Sequence, residues 1–173
     1  GHGPASMTFS PGLLRAAEHL LETCRRKGRL LATAESCTGG LITGVLTAIP
    51  GSSDVVDSGF VTYSNHAKAK MIGVSDATIR QHGAVSAEVA VAMAQGAIAQ
   101  SRAHLAIAVT GVAGPGGGTP MKPVGLVWLA AAARDGHVRT HELRLGDIGR
   151  EEVRLATVSE ALTMLQELAD RDP

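Results

Sequence analysis

The segment Leu30 to Gly40 constrains the fold of this chain more than any other. A short, mostly apolar run, Leu30 to Ala34, enters the polar turn Glu35-Ser36-Cys37-Thr38-Gly39-Gly40. That turn leads straight into a second apolar stretch, Leu41 to Ile49, which Pro50-Gly51 stops. The first run has the length and composition of a buried strand, and the second reads as a helix. A buried strand that feeds a helix is the opening of a crossover unit, which needs a sheet with helices packed on it.

The remaining segments agree with this. Ser10-Pro11 is an N-cap followed by proline at the first helical position. Leu13, Leu14, Ala17, Leu20 and Leu21 then recur at helical spacing up to Gly28. Val55 to Tyr63, rich in β-branched and aromatic residues, predicts one or two strands. Asn65 to Ile72 and Asp76 to His82 read as short helices. Ser86 caps a longer helix with Val89, Ala90, Met93, Ala97 and Ile98 as its apolar stripe. Leu105 to Thr110 is a strand, and Gly111 to Pro123 a loop without periodicity. Val124 to Ala133 and Val138 to Leu145 form a strand pair joined by Arg134-Asp135-Gly136-His137, where Asp-Gly is a hairpin-turn signal. A final helix runs from about Arg150 to Ala169, with Val158, Ala161, Leu162, Leu165 and Leu168 inward. Crossover units together with a hairpin predict a single three-layer α/β/α domain with a mixed sheet.

Composition narrows the function. At 173 residues the chain suits one domain, and a chain of this size buries roughly 68–70% of its unfolded surface. Aromatic residues make up only 2%, so the core is built from Leu, Val, Ile and Ala. The same scarcity, with a formal net charge of zero, speaks against nucleic-acid binding, which needs basic surface or base-stacking side chains. No apolar run approaches the length of a membrane span. The two cysteines, Cys24 and Cys37, read as reduced thiols of a cytoplasmic protein. Residues 1–6 have the character of an expression remnant ahead of Met7, leaving residues 7–173 as the domain.

Four places could carry chemistry. In the Glu35–Gly40 turn, a helix N-terminus offers N–H groups to an anion or oxyanion, and Gly39-Gly40 allows close backbone approach. A capped turn is the plainer reading, with Ser36 or Thr38 as the cap. Cys37 is the first candidate nucleophile, since a thiol is intrinsically reactive and a helix N-terminus lowers its pKa; a small buried thiol is the commoner role. Ser36 would need a base within reach. The second place is Thr62-Tyr63-Ser64-Asn65-His66-Ala67-Lys68, where a lysine buried enough to be neutral could serve a serine as base. An exposed helix lysine is the ordinary alternative. The third is the glycine-rich loop after a core strand, Thr110-Gly111-Val112-Ala113-Gly114-Pro115-Gly116-Gly117-Gly118-Thr119. It is neither a Walker loop nor a dinucleotide fingerprint, yet its backbone could enclose a phosphate or ribose. The fourth is the pair Arg150 and Arg154, one turn apart on one helix face. They could bind phosphate or carboxylate, or pair with nearby acids. His137 and His141 lack a clear third partner for zinc.

Taken together and in order, these segments resemble the CinA C-terminal domain family. The resemblance rests on Thr33 to Gly40, Pro50-Gly51-Ser52-Ser53, Val61 to Asn65 with Lys68, and His82-Gly83-Ala84-Val85-Ser86. It continues through Gly111 to Pro115, Gly117-Gly118, Lys122-Pro123-Val124-Gly125 and Arg150 to Arg154. It implies a three-layer α/β fold and, as in the family's stand-alone nicotinamide-nucleotide amidases, hydrolysis of nicotinamide mononucleotide to nicotinate mononucleotide and ammonia. It implies Ser36, not Cys37, as nucleophile, Lys68 as its base, and Tyr63 and Arg150 at the site. Substrate would lie against Cys37, Thr38, Gly39, Gly40, Asn65, Thr110, Gly111, Gly114, Gly117 and Gly118. No metal or cofactor is implied. The partner is a small-molecule nucleotide, with no nucleic acid or membrane, and the assembly is at least a dimer. The family usually carries Gly-Asp-Arg directly before the last helix. Here Ile148 and Gly149 separate Asp147 from Arg150, and the kept spacing to Arg154 aligns Arg150 with the family arginine. A non-catalytic nucleotide-binding or regulatory module is the alternative. A purely structural domain would have no pocket where Ser36, Lys68 and the 111–119 loop meet.

Overall fold

Ser10, Pro11 and Gly28 punctuate the first helix as their chemistry requires. In the computed structural model, which describes residues 8–172, α1 spans Pro11–Lys27. The Ser10 hydroxyl accepts the Leu13 N–H, and Gly28 closes the helix in the left-handed region. The proposed expression remnant and the Met7 start lie outside the described residues. The chain continues through β1 (Leu31–Glu35), α2 (Leu41–Thr47), β2 (Val56–Val61), α3 (Asn65–Ile72), α4 (Asp76–His82), α5 (Ala87–Ala99), β3 (Leu105–Gly111), β4 (Leu126–Ala133), β5 (Val138–Arg144) and α6 (Arg150–Asp170). The short helices α3 and α4 fall on their predicted residues, because Ser64 and Ser75 cap them and Gly73 and Gly83 follow them.

The sheet is mixed, as expected, with strand order β2-β1-β3-β4-β5. Strand β1 pairs in parallel with β2 and β3, and β3-β4-β5 is antiparallel. The first strand begins one residue later than its apolar run suggests. The Leu30 N–H donates to His104 Nδ1 at 2.9 Å instead of entering the ladder. The fourth strand also starts late, at Leu126, since Gly125 takes a positive φ and donates its N–H to Val112 O. Val55 to Tyr63 yields one strand. The hairpin turns at Gly136, whose φ is 99°.

Period-two alternation divides the sheet into two unlike faces. One carries Leu31, Leu105, Ile107, Val109, Val127 and Leu129 against α1, α2 and α6. The other carries Ala32, Ala34, Ala106, Ala108, Ala130 and Ala132, and α5 lies on it. With almost no side chain between them, helix and sheet can approach closely, which is how this chain fills a core with so few aromatics. The approach continues outward. At Gly96 of α5, an added Cβ would run into the Ile72 carbonyl that ends α3. Overpacking of this kind costs about 1–3 kcal/mol. Gly96→Ala is therefore expected to lower the melting temperature by roughly 2–4 °C for each kcal/mol lost in a domain of this size. Gly12→Ala, at an unstrained helical position where an added Cβ meets only the Ser10 hydroxyl at 3.9 Å, should leave it unchanged or slightly higher.

Candidate active site

Parallel pairing brings three chain segments to one edge. Glu35 at the end of β1 is in register with Val61 of β2 and Val109 of β3. The residues that follow, Ser36, Thr62-Tyr63 and Thr110-Gly111, therefore emerge side by side at the carboxyl ends of the strands, where α/β sheets bind ligands. Two backbone bonds fix this junction: Ser36 N–H to Val109 O at 3.1 Å, and Thr62 N–H to Glu35 O at 2.8 Å.

Lys68 approaches from α3. The helix starts at Ser64, whose hydroxyl accepts the Ala67 N–H, and a lysine in its first turns points back toward that start. Its Nζ lies 3.1 Å from Ser36 Oγ, 2.9 Å from Thr62 O and 3.3 Å from Tyr63 O. The side chain is buried, with 1% of its surface exposed, and it forms no ion pair with a carboxylate among the described residues. Burial pushes its pKa below the ordinary lysine value. Ser36 Oγ also lies 3.4 Å from Tyr63 O.

Cys37 behaves otherwise than a helix-terminal thiol was expected to. It packs into the larger core, and burial pushes its thiol up to about 11. It is a thiol and not a thiolate at neutral pH. The start of α2 is likewise not open to an anion. The buried Glu35 carboxylate already occupies it, accepting from Ile42 N–H at 2.9 Å, Thr43 N–H at 3.0 Å, and the hydroxyls of Thr38 at 2.6 Å and Thr43 at 3.2 Å. The expected helix-dipole site for an exogenous anion is therefore filled by the chain's own side chain.

A cavity of about 290 Å³ opens over Ser36, Cys37 and Lys68. Tyr63, Asn65, Thr110, Gly111, Gly114, Gly117 and Arg150 line it; Thr38, Gly39, Gly40 and Gly118 do not. Thr38 is bonded to Glu35 beneath the turn. Gly39 and Gly40 give the turn its positive φ values of 57° and 103°. Gly118 lies against the backbone of Val124. The structure adds Ala84 and Val85 to the wall. The Thr110 hydroxyl anchors them by donating to Ala84 O at 2.8 Å. The Lys122 ammonium donates to His82 O at 3.1 Å and also to Val85 O. These links are tertiary, and His82-Gly83-Ala84-Val85-Ser86 carried no local sign of them.

The two arginines part company. Arg150, the first residue of α6, donates to Gly114 O at 2.8 Å and to Tyr63 Oη at 3.0 Å, joining two walls at the cavity mouth. Arg154 turns away from the cavity, and its guanidinium donates to Cys37 O at 3.0 Å and Thr38 O at 3.2 Å. Of the two, only Arg150 lines the cavity. His141 stands beside Glu160 at 3.4 Å. Among the described residues no three His, Cys, Asp or Glu side chains are grouped to hold a metal. No described helix is long and apolar enough to cross a membrane.

Residues 14–169 match the model of the CinA C-terminal domain. The nicotinamide-nucleotide amidohydrolase PncC of Escherichia coli K12 is 47% identical over 154 residues, covering 88% of this chain and 92% of that protein. The protein of the same name from Pseudomonas putida is 50% identical, covering 89% and 92%. A CinA-like protein of Akkermansia muciniphila is 49% identical over 142 residues, but the match spans only 34% of its length. Among solved structures, a competence/damage-inducible protein of Agrobacterium tumefaciens superposes with a TM-score of 0.91 at 54% identity, covering 94% of this chain and 98% of that one.

The Glu35 carboxylate holds the turn from below, so the turn should depend on its charge. Glu35→Gln replaces one acceptor oxygen with a donor that faces other donors, and a lost bond to a charged group costs about 1.5–3 kcal/mol. The unfolding free energy of the variant is expected to fall by about that amount, seen as a lower denaturant midpoint at unchanged m-value. An unchanged midpoint would mean that the carboxylate contributes little.

Proposed function

The chain belongs to the CinA C-terminal domain family, and on that premise we propose that it is an amidohydrolase that converts nicotinamide mononucleotide to nicotinate mononucleotide and ammonia, with Ser36 as nucleophile and Lys68 as base. The observation that carries this reading is the buried Lys68 amine, without a carboxylate partner among the described residues, 3.1 Å from the Ser36 hydroxyl at the floor of a cavity. The names borne by relatives that match over nine-tenths of their own length supply the substrate.

In the proposed reaction, neutral Lys68 takes the proton from Ser36 Oγ as the oxygen attacks the carboxamide carbon. The carbonyl π bond opens to a tetrahedral oxyanion. The N–H of Cys37, the residue after the nucleophile and part of the cavity wall, is the donor assigned to that oxygen. The N–H groups of Gly39 and Leu41 are spent on Ser36 O and Thr38 O. The oxyanion collapses, the C–N bond breaks, and the Lys68 ammonium protonates the departing nitrogen. Water then attacks the Ser36 ester and gives one proton to Lys68; the C–Oγ bond breaks as Ser36 takes that proton back, and the carboxylic acid loses its remaining proton to solvent as the carboxylate product leaves. Arg150 and Tyr63 stand at the cavity mouth, where the guanidinium meets the anionic part of the nucleotide. The same reading places the protein in the cytoplasm, as at least a dimer, with no metal or cofactor.

Ammonia release from nicotinamide mononucleotide tests the proposal. Ser36→Ala should lose about 10⁴-fold or more in kcat, while Cys37→Ala keeps most of the activity. Full activity in Ser36→Ala would end the serine assignment. Binding of the mononucleotide without turnover by the unaltered protein would point to a binding module. Because Lys68 acts when neutral and its pKa is lowered, kcat/KM should fall as pH drops through that depressed pKa and reach its plateau below the ordinary lysine value of 10.5. A limb that appears only near 10.5 would contradict the role of Lys68.

A further inference from the structure

We propose that Arg154 is a positioning residue for the nucleophile turn, acting through the carbonyls of Cys37 and Thr38 and touching no substrate. It stands one helical turn beyond Arg150, yet it does not line the cavity. Its guanidinium forms no ion pair with a carboxylate among the described residues. Nε donates to Cys37 O and Nη2 to Thr38 O, two successive carbonyls of the segment that carries Ser36. Arginine's rigid fork suits such a pair of acceptors, and lysine's point charge does not.

The turn is thereby gripped from two sides by opposite charges. On one side the Glu35 carboxylate collects Thr38 Oγ1 and the N–H groups of Ile42 and Thr43. On the other the Arg154 cation collects the carbonyls. In a trans peptide C=O and N–H point in opposite directions, so fixing a carbonyl fixes its amide plane. The Arg154 bonds thus set the planes on either side of Thr38, directly after the residue whose N–H is assigned to the oxyanion. They also draw the negative ends of two peptide dipoles toward a cation and offset their field where negative charge develops. Gly39 completes the fit: with a φ of 57° it passes under the guanidinium, and an added Cβ would stand 3.3 Å from Nη2.

This inference rests on the acyl-transfer reading, so its test has an arm independent of turnover. Arg154→Gln and Arg154→Lys are compared with the unaltered protein by steady-state kinetics on nicotinamide mononucleotide, thermal melting, and amide hydrogen exchange at Cys37, Thr38 and Gly39. A misplaced catalytic group costs up to about 100-fold. Arg154→Gln should lose about 10- to 100-fold in kcat with KM within about twofold, and the lysine variant should recover part of the loss. Amide exchange in the turn should quicken while the rest of the domain exchanges as before. A kcat within twofold of the unaltered protein would overturn the proposal, as would a loss that merely follows a fall in melting temperature across the whole domain. If the unaltered protein releases no ammonia, the functional reading fails, and the exchange arm alone decides: faster exchange confined to the turn supports the role of Arg154, and unchanged exchange overturns it.

Discussion

Keeping the Lys68 ammonium out of water is the costly interaction around which the site is organised. A desolvated lysine without an acid partner is unfavourable in its charged form, and this one is closed in by Ser36, Thr62 and Tyr63. The fold sustains it through placement. The Ser64 cap sets where α3 begins, the parallel register of β1 and β2 brings Thr62 and Tyr63 over Glu35 and Ser36, and the amine meets backbone carbonyls it can donate to. A group held in this way gives up stability for reactivity.

The rest of the architecture keeps that arrangement rigid. The Ala-lined face of the sheet lets α5 approach closely and leaves little room for the strands to shift. Three strand ends in register deliver the Ser36 turn, the Tyr63 segment and the glycine-rich loop to one place. Glu35 illustrates how the fold resolves a competition. The helix start it occupies would otherwise attract any anion, and by filling it the chain reserves Ser36 and the cavity for chemistry that does not depend on the helix dipole.

Much of this was legible in the amino-acid order. Ser10 and Ser86 cap helices where side-chain oxygen chemistry predicts, and Asp135-Gly136 turns the hairpin. The strand order was not legible, because β1 acquires neighbours from distant segments and nothing local encodes which. Local chemistry favoured Cys37 over Ser36, since a helix N-terminus lowers a thiol pKa when the thiol reaches solvent. Burial reverses that effect, and burial is a tertiary property. The partners of Arg154 were not legible for a similar reason: its spacing puts it one turn from Arg150, but the carbonyls it bonds come from a turn far away in sequence.

The proposed chemistry depends on the protonation of one amine. With ¹³C-labelled lysine, the Cε resonance of Lys68, assigned through its loss in Lys68→Met, can be followed against pH in the folded protein. The expected midpoint lies clearly below 10.5, apart from the other lysines, and moves when Ser36 is replaced by alanine. A Lys68 resonance that titrates with the surface lysines near 10.5, indifferent to Ser36, would contradict it.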